Sequence, residues 1–150
     1  MAAADPYRTL MEQRIEAFNP EDLERIEKLR EWVVGHYDDA RAYEAVAGKL
    51  RLIQTILDNG WIAKDETWKL QSLGVAFGDA LEQEVSELSW VMVEDEFGRD
   101  PALRWLDTST LTFPLTAISK RVEDDVSVDV LELFGGFQKA INEAVANAQH

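Results

Sequence analysis

The residues best suited to chemistry in this sequence are four carboxylates crowded around one predicted turn. They flank a Phe-Gly-Arg segment and are Glu94, Asp95, Glu96 and Asp100. Calcium and magnesium bind several carboxylate oxygens from a flexible loop, and two carboxylates held close together can serve as acid and base. The EF-hand spacing is absent, however, and charged turns are more often solvated, with Arg99 here offsetting the acids. We therefore prefer a solvated turn, with a metal-binding or carboxylate-based catalytic site as the alternative.

Strand geometry limits what these acids can do together. Side chains alternate along a strand, so Glu94 and Glu96 are expected on one face and Asp95 on the other. All of them could converge only if the strand ended or bulged near Asp95. We therefore expect no metal site, and we expect Asp95 or Asp100 to be tied to an arginine or to amides of the turn.

Tryptophan is the second candidate feature, because the chain contains 5 Trp. Tryptophan is enriched in binding hot spots, but it also fills the cores of small domains. Trp90 and Trp105 lie in predicted strands and are expected in the core. Trp61 follows Asn59-Gly60 in a predicted loop, so it is the best candidate for a surface or pocket role.

Two short motifs could bind ligands but have simpler explanations. Lys120-Arg121 is a rare basic pair that could hold an anion, although ion pairs with the acids at 123–125 are favoured. Gly74 and Gly78 lie four residues apart on a predicted helix, where another backbone can approach closely. The sheet is their favoured packing partner, and a bound ligand is the alternative.

The usual machinery of an enzyme is missing from the sequence. There is no phosphate-binding loop, dinucleotide glycine fingerprint, His-Glu-x-x-His pair or nucleophile elbow. The only histidines are His36 and His150, which are too few for a histidine triad or a multi-histidine metal site. His36 follows a predicted helix end, where a cationic form interacts favourably with the helix dipole. We expect no cofactor and favour a non-enzymatic protein.

The charge balance argues against several classes of partner. The chain has 29 acidic and 15 basic residues, for a formal net charge of -14. Binding to nucleic acid requires cationic side chains that replace counterions, so no nucleic acid and no anionic membrane surface is expected as a partner. A protein partner with a basic or apolar surface fits better, as does a homo-oligomer. The favoured explanation of the charge itself is that it keeps the protein soluble.

Composition predicts a soluble cytoplasmic domain. The chain is 46% hydrophobic over 150 residues, enough for a core, and it has no cysteine, which fits a reducing compartment. No signal peptide and no run of about 20 apolar residues is visible, so no membrane span is expected. We predict a single domain over residues 1–150, with residues 1–4 as a disordered tail.

Helical periodicity dominates the first half of the chain and returns at its end. The predicted helices start at capping or proline residues and cover residues 5–18, 20–34, 39–57, 66–83 and 129–147. Asn19-Pro20 is the strongest start signal, because two acids follow it in the first turn. Gly135-Gly136 lies in the interior of the last predicted helix, where glycine is unfavourable, and suggests a kink or close packing.

Between the fourth and last helices the hydrophobic period changes from 3.6 to 2. Three strands are predicted in SWVMVEDE, ALRWL and TLTFPL, followed by a single helical turn in TAISKR. The residues expected between this sheet and the helices are Leu103, Trp105, Leu111 and Phe113. The predicted fold class is therefore α+β, with N-terminal helices, a small three-stranded antiparallel meander and a closing C-terminal helix.

Several motifs resemble one known family when they are taken in order. LGVAFGDAL, WVMVEDEFGRDPALRW and FPLTAISKRVED resemble a bacterial domain family of unknown function, DUF3806. Upstream, GKLRLIQTILDNGWI and ETWKLQ are also similar to members of this family, so the resemblance covers about Trp32 to Phe137. It implies a bacterial source and a modest α+β domain. It carries no established activity, and no catalytic residue is transferred.

The sequence thus predicts function only in outline. We expect a non-enzymatic, acidic binding or regulatory domain that acts through protein–protein contacts. The alternative is a metal-binding domain or carboxylate-based enzyme that uses the turn at 94–100. The candidate binding residues are Trp61, Glu94, Asp95, Glu96, Arg99, Asp100, Lys120 and Arg121.

Overall fold

The computed structural model describes residues 13–36 and 40–148. The predicted tail at 1–4 and most of the predicted helix over 5–18 lie outside these ranges. The helices are α1 (Pro20–Val34), a 3-10 helix (Ala40–Glu44), α2 (Val46–Asp58), α3 (Thr67–Glu84), α4 (Ala117–Glu123) and α5 (Val130–Ala148). The strands are β1 (Arg14–Glu16), β2 (Leu88–Asp95), β3 (Gly98–Trp105) and β4 (Leu111–Thr112). The fold is α+β, as predicted.

Helix α1 begins at the predicted capping residue. The side chain of Asn19 accepts the backbone N–H of Asp22 at 2.8 Å, and the Asp22 carboxylate accepts the N–H of Asn19 at 2.9 Å. This reciprocal arrangement satisfies two amides that a helix start otherwise leaves without partners. The helix then buries Ile26, Leu29 and Val33 along one stripe.

Helix α3 is the centre of the fold. Every residue from Ser72 to Leu81 is buried, because α1, α2, α4, α5 and β2 all contact this helix. Its predicted stripe, Leu70, Leu73, Phe77 and Leu81, is fully buried. A helix covered on all sides can have little polar surface, so any charge within it requires a partner.

Gly74 and Gly78 allow α3 to approach the sheet. A Cβ on Gly74 would collide with the backbone of Leu115, and one on Gly78 would collide with the Trp90 ring. The glycine spacing therefore serves packing against β2 and against the chain that leaves β4, which is the explanation favoured from the sequence.

The four strands form one antiparallel sheet in the order β1-β2-β3-β4. Strands β2 and β3 form a long hairpin in which Trp90 lies opposite Leu103. Leu103 belongs to the main core, together with Phe77 of α3. The opposite face of the sheet carries a smaller cluster of Val91, Val93 and Ala102, with Ile15 and Leu111 packed against it.

The expectation of three strands, with residues up to Phe18 in a helix, is wrong at this end of the chain. Residues Arg14–Glu16 form a strand that pairs with β2, with Ile15 opposite Val93. The spacing of Ile15 and Phe18 is compatible with a helix, but pairing with the edge of β2 determines the local structure. Three residues are also too few to display a period of two.

Two helical boundaries differ from prediction as well. The helix expected over 39–57 is divided, because Ala45 is extended (φ -100, ψ 145) between the 3-10 helix and α2. This break places Tyr43 within hydrogen-bonding distance of Asp79, at 2.7 Å. Helix α4 spans Ala117–Glu123, longer than the single turn expected.

The predicted sheet core is right for Leu103 and wrong for Leu111 of β4 and for Phe113, which follows β4. Leu103 is fully buried and Trp105 packs half-buried against the main core. Leu111 lies opposite Arg104, so it faces the second cluster and not the helices. Phe113 is 43% exposed, because β4 ends at Thr112 and the alternation does not continue.

Among residues 13–36 and 40–148, no helix combines the length and the apolar character needed to cross a membrane.

Candidate functional site

The predicted acidic turn does not bring its carboxylates together. Glu94 lies opposite Arg99 in the hairpin, whereas Asp100 lies opposite Val93 and is exposed. Because faces alternate along β2, Glu94 and Asp100 lie on opposite sides of the sheet. Within the described ranges, no group of three or more histidine or acidic side chains is arranged to hold a metal ion.

Asp95 and Glu96 lie at the end of β2 and in the turn itself. The Asp95 carboxylate accepts the backbone N–H of Phe97 at 2.8 Å, the kind of turn-amide contact that the sequence predicts. Gly98 has φ +135, a conformation that other residues rarely adopt. Glu96 is exposed, and Phe97 is exposed to 85%. These residues shape a hairpin end that is open to solvent.

Arg99 connects the hairpin to the start of α1. Its Nη2 and Nε donate to the Asp22 carboxylate at 2.6 and 3.3 Å, and its Nη1 donates to Glu16 at 3.0 Å. Glu94 lies 3.7 Å from the same guanidinium and accepts a hydrogen bond from Arg14 at 2.7 Å. We call these five residues the rim cluster. The sequence named Arg99 as a partner for acids of its own turn and as a candidate binding residue, and it did not predict the contacts of Arg99 with Asp22 and Glu16.

The rim cluster favours the charged forms of Asp22 and Arg99. Hydrogen bonds from Arg99 outweigh partial burial and hold the pKa of Asp22 below its usual 3.8. Hydrogen bonds to Asp22 and Glu16 raise the pKa of Arg99 above its usual 12.5. A carboxylate held ionised in this way is a poor proton donor near neutral pH. The cluster therefore fastens the hairpin to α1.

Lys120 and Arg121 lie at the exposed end of α4. Arg121 donates through Nη1 to the carbonyl of Ala117 at 2.7 Å, within its own helix. Asp125, one of the acids expected to pair with these bases, instead accepts a hydrogen bond from Lys64 at 3.0 Å. Arg121 also lines a groove beside α5.

A buried carboxylate that the sequence analysis missed connects four elements. Asp79 of α3 has a side chain that is only 9% exposed. It accepts two hydrogen bonds from Arg30 of α1, from Nε at 2.6 Å and from Nη2 at 2.9 Å. It also accepts the Tyr43 hydroxyl at 2.7 Å and the Trp90 indole N–H at 3.0 Å. One side chain thus fastens α1, the 3-10 helix and β2 to α3.

Lys49 extends this network toward α2. Its side chain is buried, and Nζ donates to Oε1 of Gln83 at 2.6 Å while lying 4.7 Å from the centroid of the Tyr43 ring. Burial lowers the pKa of Lys49 below its usual 10.5, although Asp79 acts in the opposite direction. We call Arg30, Tyr43, Lys49, Asp79, Glu82 and Trp90 the buried cluster, and the exposed Gln83 lies at its edge.

Two further groups of the buried cluster have perturbed pKa values. Burial, and secondly the charge of Asp79, raises the pKa of Tyr43 above its usual 10.0. The same two causes raise the pKa of Glu82 above its usual 4.5. Perturbed groups concentrate in active sites and also in structural ion networks. Four donors engage the Asp79 carboxylate, so the geometry fits a structural tie better than a general base.

One sequence signal could have identified Asp79. It is the only charged residue in the segment LGVAFGDAL, whose other members are all buried. A charge inside a continuously buried helix implies a buried partner. The partner itself could not be identified, because Arg30 lies 49 residues away.

Four aromatic rings meet at the surface between the end of α1, the loop after α2 and the start of α3. Trp61 and Trp68 are 50% and 51% exposed. The His36 ring stacks on Trp61 with centroids 5.8 Å apart, and it lies 4.3 Å from the Trp32 ring. Trp32 meets Trp68 edge to face at 6.1 Å. We call Trp32, His36, Trp61 and Trp68 the aromatic surface; of these, the sequence singled out only Trp61 for a binding role.

The aromatic surface already carries one cation. Nζ of Lys69 lies 5.7 Å from the centroid of Trp68 and 6.0 Å from that of Trp32, and it pairs with Glu66 at 2.5 Å. Nδ1 of His36 lies 2.8 Å from the carbonyl oxygen of Trp32, which fixes the imidazole ring. The rings are therefore held in place and accessible, and they accept a positive charge over their faces.

Comparisons with known proteins identify a family and a fold. The sequence model of a family described as a domain of unknown function, DUF3806, matches residues 49–134, which is more than half of the chain. A crystal structure of a protein from Bacteroides thetaiotaomicron VPI-5482 is similar with a TM-score of 0.69 and 18% identity, over 87% of this chain. This chain covers 48% of that protein, about half its length, and the likeness shows the fold alone. A search of curated proteins gave no match.

Proposed function

Since the chain belongs to the DUF3806 family of domains of unknown function, its role has to be inferred from its own surface, and we propose that it is a non-enzymatic protein-binding domain. The contact surface is the aromatic surface, and the partner is a protein segment rich in arginine or lysine. The partner's cationic side chains lie over the tryptophan rings.

The half-exposure of Trp61 and Trp68 is the observation that carries this proposal. Single exposed apolar residues are common and need no explanation, but contiguous apolar patches often mark binding sites. Trp61 and Trp68 each leave about half of their surface in water, and both contact a further ring of the same patch. Tryptophan is also prominent among the residues that carry most of the energy of protein interfaces.

Charge supports a basic partner. The chain has a formal net charge of -14, so its field attracts cationic segments and speeds their encounter. Lys69 lies over Trp68 and Trp32, which supports the use of these rings for cation–π contacts. An arginine of the partner would replace or extend that contact, because its planar guanidinium also stacks on aromatic faces.

A carboxylate-based site at the turn 94–100 has less support. Glu94 and Asp100 lie on opposite sides of the sheet, and Arg99 is engaged by Asp22 and Glu16. The buried cluster has the chemistry of an active site, but its central carboxylate is saturated with donors.

Titration with defined peptides tests the proposal. The probes are a ten-residue peptide of alternating glycine and arginine, and its counterpart with citrulline, which has the same shape without the charge. We expect the arginine peptide to perturb the indole signals of Trp61 and Trp68 in NMR spectra and the citrulline peptide to bind at least about tenfold more weakly. Binding that does not distinguish the two peptides would contradict a cation-recognising surface.

Variants separate this surface from general attraction to an acidic protein. Trp61→Ala and Trp68→Ala should each weaken binding of the arginine peptide while leaving the melting temperature nearly unchanged, since both residues are half-exposed. Phe97→Ala is the matched control, because Phe97 is an exposed aromatic residue on the distant hairpin end. Equal weakening by all three variants would overturn the proposal. So would a dimer in sedimentation that Trp61→Ala converts to monomer, because the aromatic surface would then serve a second copy of the chain.

A further inference from the structure

A groove beside α5 has the features of a preformed small-ligand site. It has a volume of about 760 Å³ and lies between the end of α4, the segment 127–129 and the first half of α5. The residues that matter for its chemistry are Arg121, Asp129, Glu132, Leu133, Gly136 and Phe137. Ligand pockets commonly have volumes of about 300–1,000 Å³ and combine apolar walls with a few polar groups.

The floor of the groove is apolar and held in place. Phe137 packs edge to face on Phe77 of the core, with centroids 5.2 Å apart. Gly136 lies beside it, and a Cβ added there would meet nothing within 4 Å. A glycine in the interior of a helix costs about 1 kcal/mol relative to alanine, yet no neighbour in the described structure requires it. Its absent side chain keeps the floor of the groove open.

The wall formed by 127–129 is also fixed. The side-chain amide of Gln54 donates to the carbonyl of Val128 at 3.1 Å and accepts the N–H of Val130 at 2.8 Å. Asp129 accepts the N–H of Glu132 at 3.1 Å, which caps α5. The groove therefore does not have to be created by the ligand, and little ordering entropy opposes binding.

The charged residues of the groove have opposite signs. Arg121 comes from α4 and uses one of its N–H groups for the carbonyl of Ala117. Asp129 and Glu132 come from the start of α5, and both are exposed. A singly charged ligand would be attracted by one of these groups and repelled by the other. A ligand that carries both charges can pair with each.

We propose that this groove binds a small zwitterion with a large apolar side chain, either a free amino acid or a very short peptide. The ligand carboxylate pairs with Arg121, the ammonium group pairs with Asp129 and Glu132, and the apolar side chain lies over Leu133 and Phe137. This site is separate from the aromatic surface and does not depend on the function assigned to it.

Calorimetric titration with four defined probes tests the chemistry. The probes are phenylalanine, the dipeptide Phe-Phe, phenylalanine amide, which lacks the carboxylate, and N-acetylphenylalanine, which lacks the ammonium group. We expect phenylalanine or Phe-Phe to bind, and each singly charged analogue to bind at least about tenfold more weakly, because each leaves a charged residue without its partner. If phenylalanine binds more tightly than Phe-Phe, the ligand is a free amino acid, and if Phe-Phe binds more tightly, it is a short peptide. No binding of either at millimolar concentration would overturn the proposal, as would equal affinity for the analogues.

Two glycine variants locate the site. Gly136→Leu places a side chain on the floor of the groove and should abolish binding of the stronger probe. Gly135→Leu is the matched control, because Gly135 is equally open but does not line the groove. Both changes favour the helix, so the melting temperature should rise or stay level in each. Arg121→Gln should weaken phenylalanine and Phe-Phe, which carry a carboxylate, and should not weaken phenylalanine amide, whose ammonium group Arg121 repels. Binding that survives Gly136→Leu, or that Gly135→Leu abolishes equally, would place the ligand elsewhere and contradict the proposal.

Discussion

Arg30–Asp79 and Arg99–Asp22 are both two-point ion pairs between residues far apart in the sequence. The two aspartate side chains are almost equally shielded from water, at 9% and 10% exposure, and the two arginine side chains are 25% and 26% exposed. Their surroundings differ. Asp79 also accepts hydrogen bonds from Tyr43 and Trp90 in the interior, whereas Asp22 caps a helix at the periphery, where Arg99 is shared with other carboxylates.

The comparison shows that the exposed fraction of a side chain does not measure the consequence of losing it. Removal of the Asp79 charge leaves Arg30 without its counter-ion, and an asparagine there keeps only one of the two oxygens that accept the four hydrogen bonds. Removal of the Asp22 charge leaves Arg99 with Glu16 and Glu94, and with access to water. We therefore expect the buried cluster to dominate stability and the rim cluster to have a smaller effect that depends on salt.

The largest effect is expected for Asp79→Asn. This change keeps the size of the side chain but removes the charge that Arg30 requires, and breaking a buried pair costs about 3–5 kcal/mol. Urea unfolding measures the free energy directly. Arg30→Gln combined with Asp79→Asn should cost less than the sum of the single changes, because the residues act as a pair. If Asp79→Asn reduced the free energy of unfolding as little as Asp22→Asn does, the two clusters would not differ in their importance for stability.

Tyr43→Phe should have the next largest effect. The ring stays in place, but Asp79 loses one of its donors, and hydrogen bonds to charged groups contribute about 1.5–3 kcal/mol. The control is Phe97→Leu, which removes an aromatic ring at the exposed hairpin end, outside the buried cluster. It should leave the free energy of unfolding nearly unchanged. If Tyr43→Phe left the free energy of unfolding as little changed as Phe97→Leu does, the hydrogen bond from the Tyr43 hydroxyl would not contribute to stability.

Asp22→Asn should lower the melting temperature by only a few degrees at low salt. The difference from wild type should shrink at 1 M salt, where the Debye length is about 3 Å. It should also depend on pH. Because the pKa of Asp22 is lower in the folded state, its contribution is fully present above the unfolded value of about 3.8 and is lost as the pH falls through the folded value. If the lower melting temperature of Asp22→Asn persisted unchanged in acid and in high salt, packing and not charge would be responsible for it.

The smallest change in stability is expected for Glu82→Gln, and unlike the preceding variants it should stabilise the protein at pH 7. Burial raises the folded pKa of Glu82, so its contribution to stability is greatest below the unfolded value of about 4.5 and decreases as the pH rises through the folded value. The glutamine variant avoids this loss and should be slightly more stable at pH 7 and not at pH 4. Thermal melts at both pH values give the result. A variant that is less stable at pH 7 would mean that the Glu82 charge is needed by the buried cluster.

Much of the fold could be predicted because its elements are long and regular. The stripe of α3 from Leu70 to Leu81 is fully buried, and the hairpin follows the change of period near Trp90. Strand β1 could not be predicted, because three residues display no period and their partner strand lies far along the sequence. Leu111 was assigned to the wrong face because the register of a two-residue strand is set by its neighbour and not by its own alternation.

The candidate sites were less predictable than the fold. Exposure of Trp61 follows from its position after Asn59-Gly60, a local signal. Trp68 lies in the first turn of α3, where nothing in the sequence distinguishes it from a core residue. The buried cluster depends on contacts such as Arg30–Asp79, which only the packing of α1 against α3 creates. Chemistry that depends on long-range packing is therefore absent from the local pattern.

The two outer strands of the sheet affect how the protein behaves when it is concentrated. Strand β1 has three residues with charges at Arg14 and Glu16, and β4 has two residues and is followed by Phe113-Pro114. Short, charged or proline-terminated edges give another molecule few backbone groups with which to pair. The long strands β2 and β3, which carry most of the apolar β-forming residues, lie between them. In the described part of the chain, the two shortest strands, β1 and β4, thus form the edges of the sheet and disfavour its growth into fibrils.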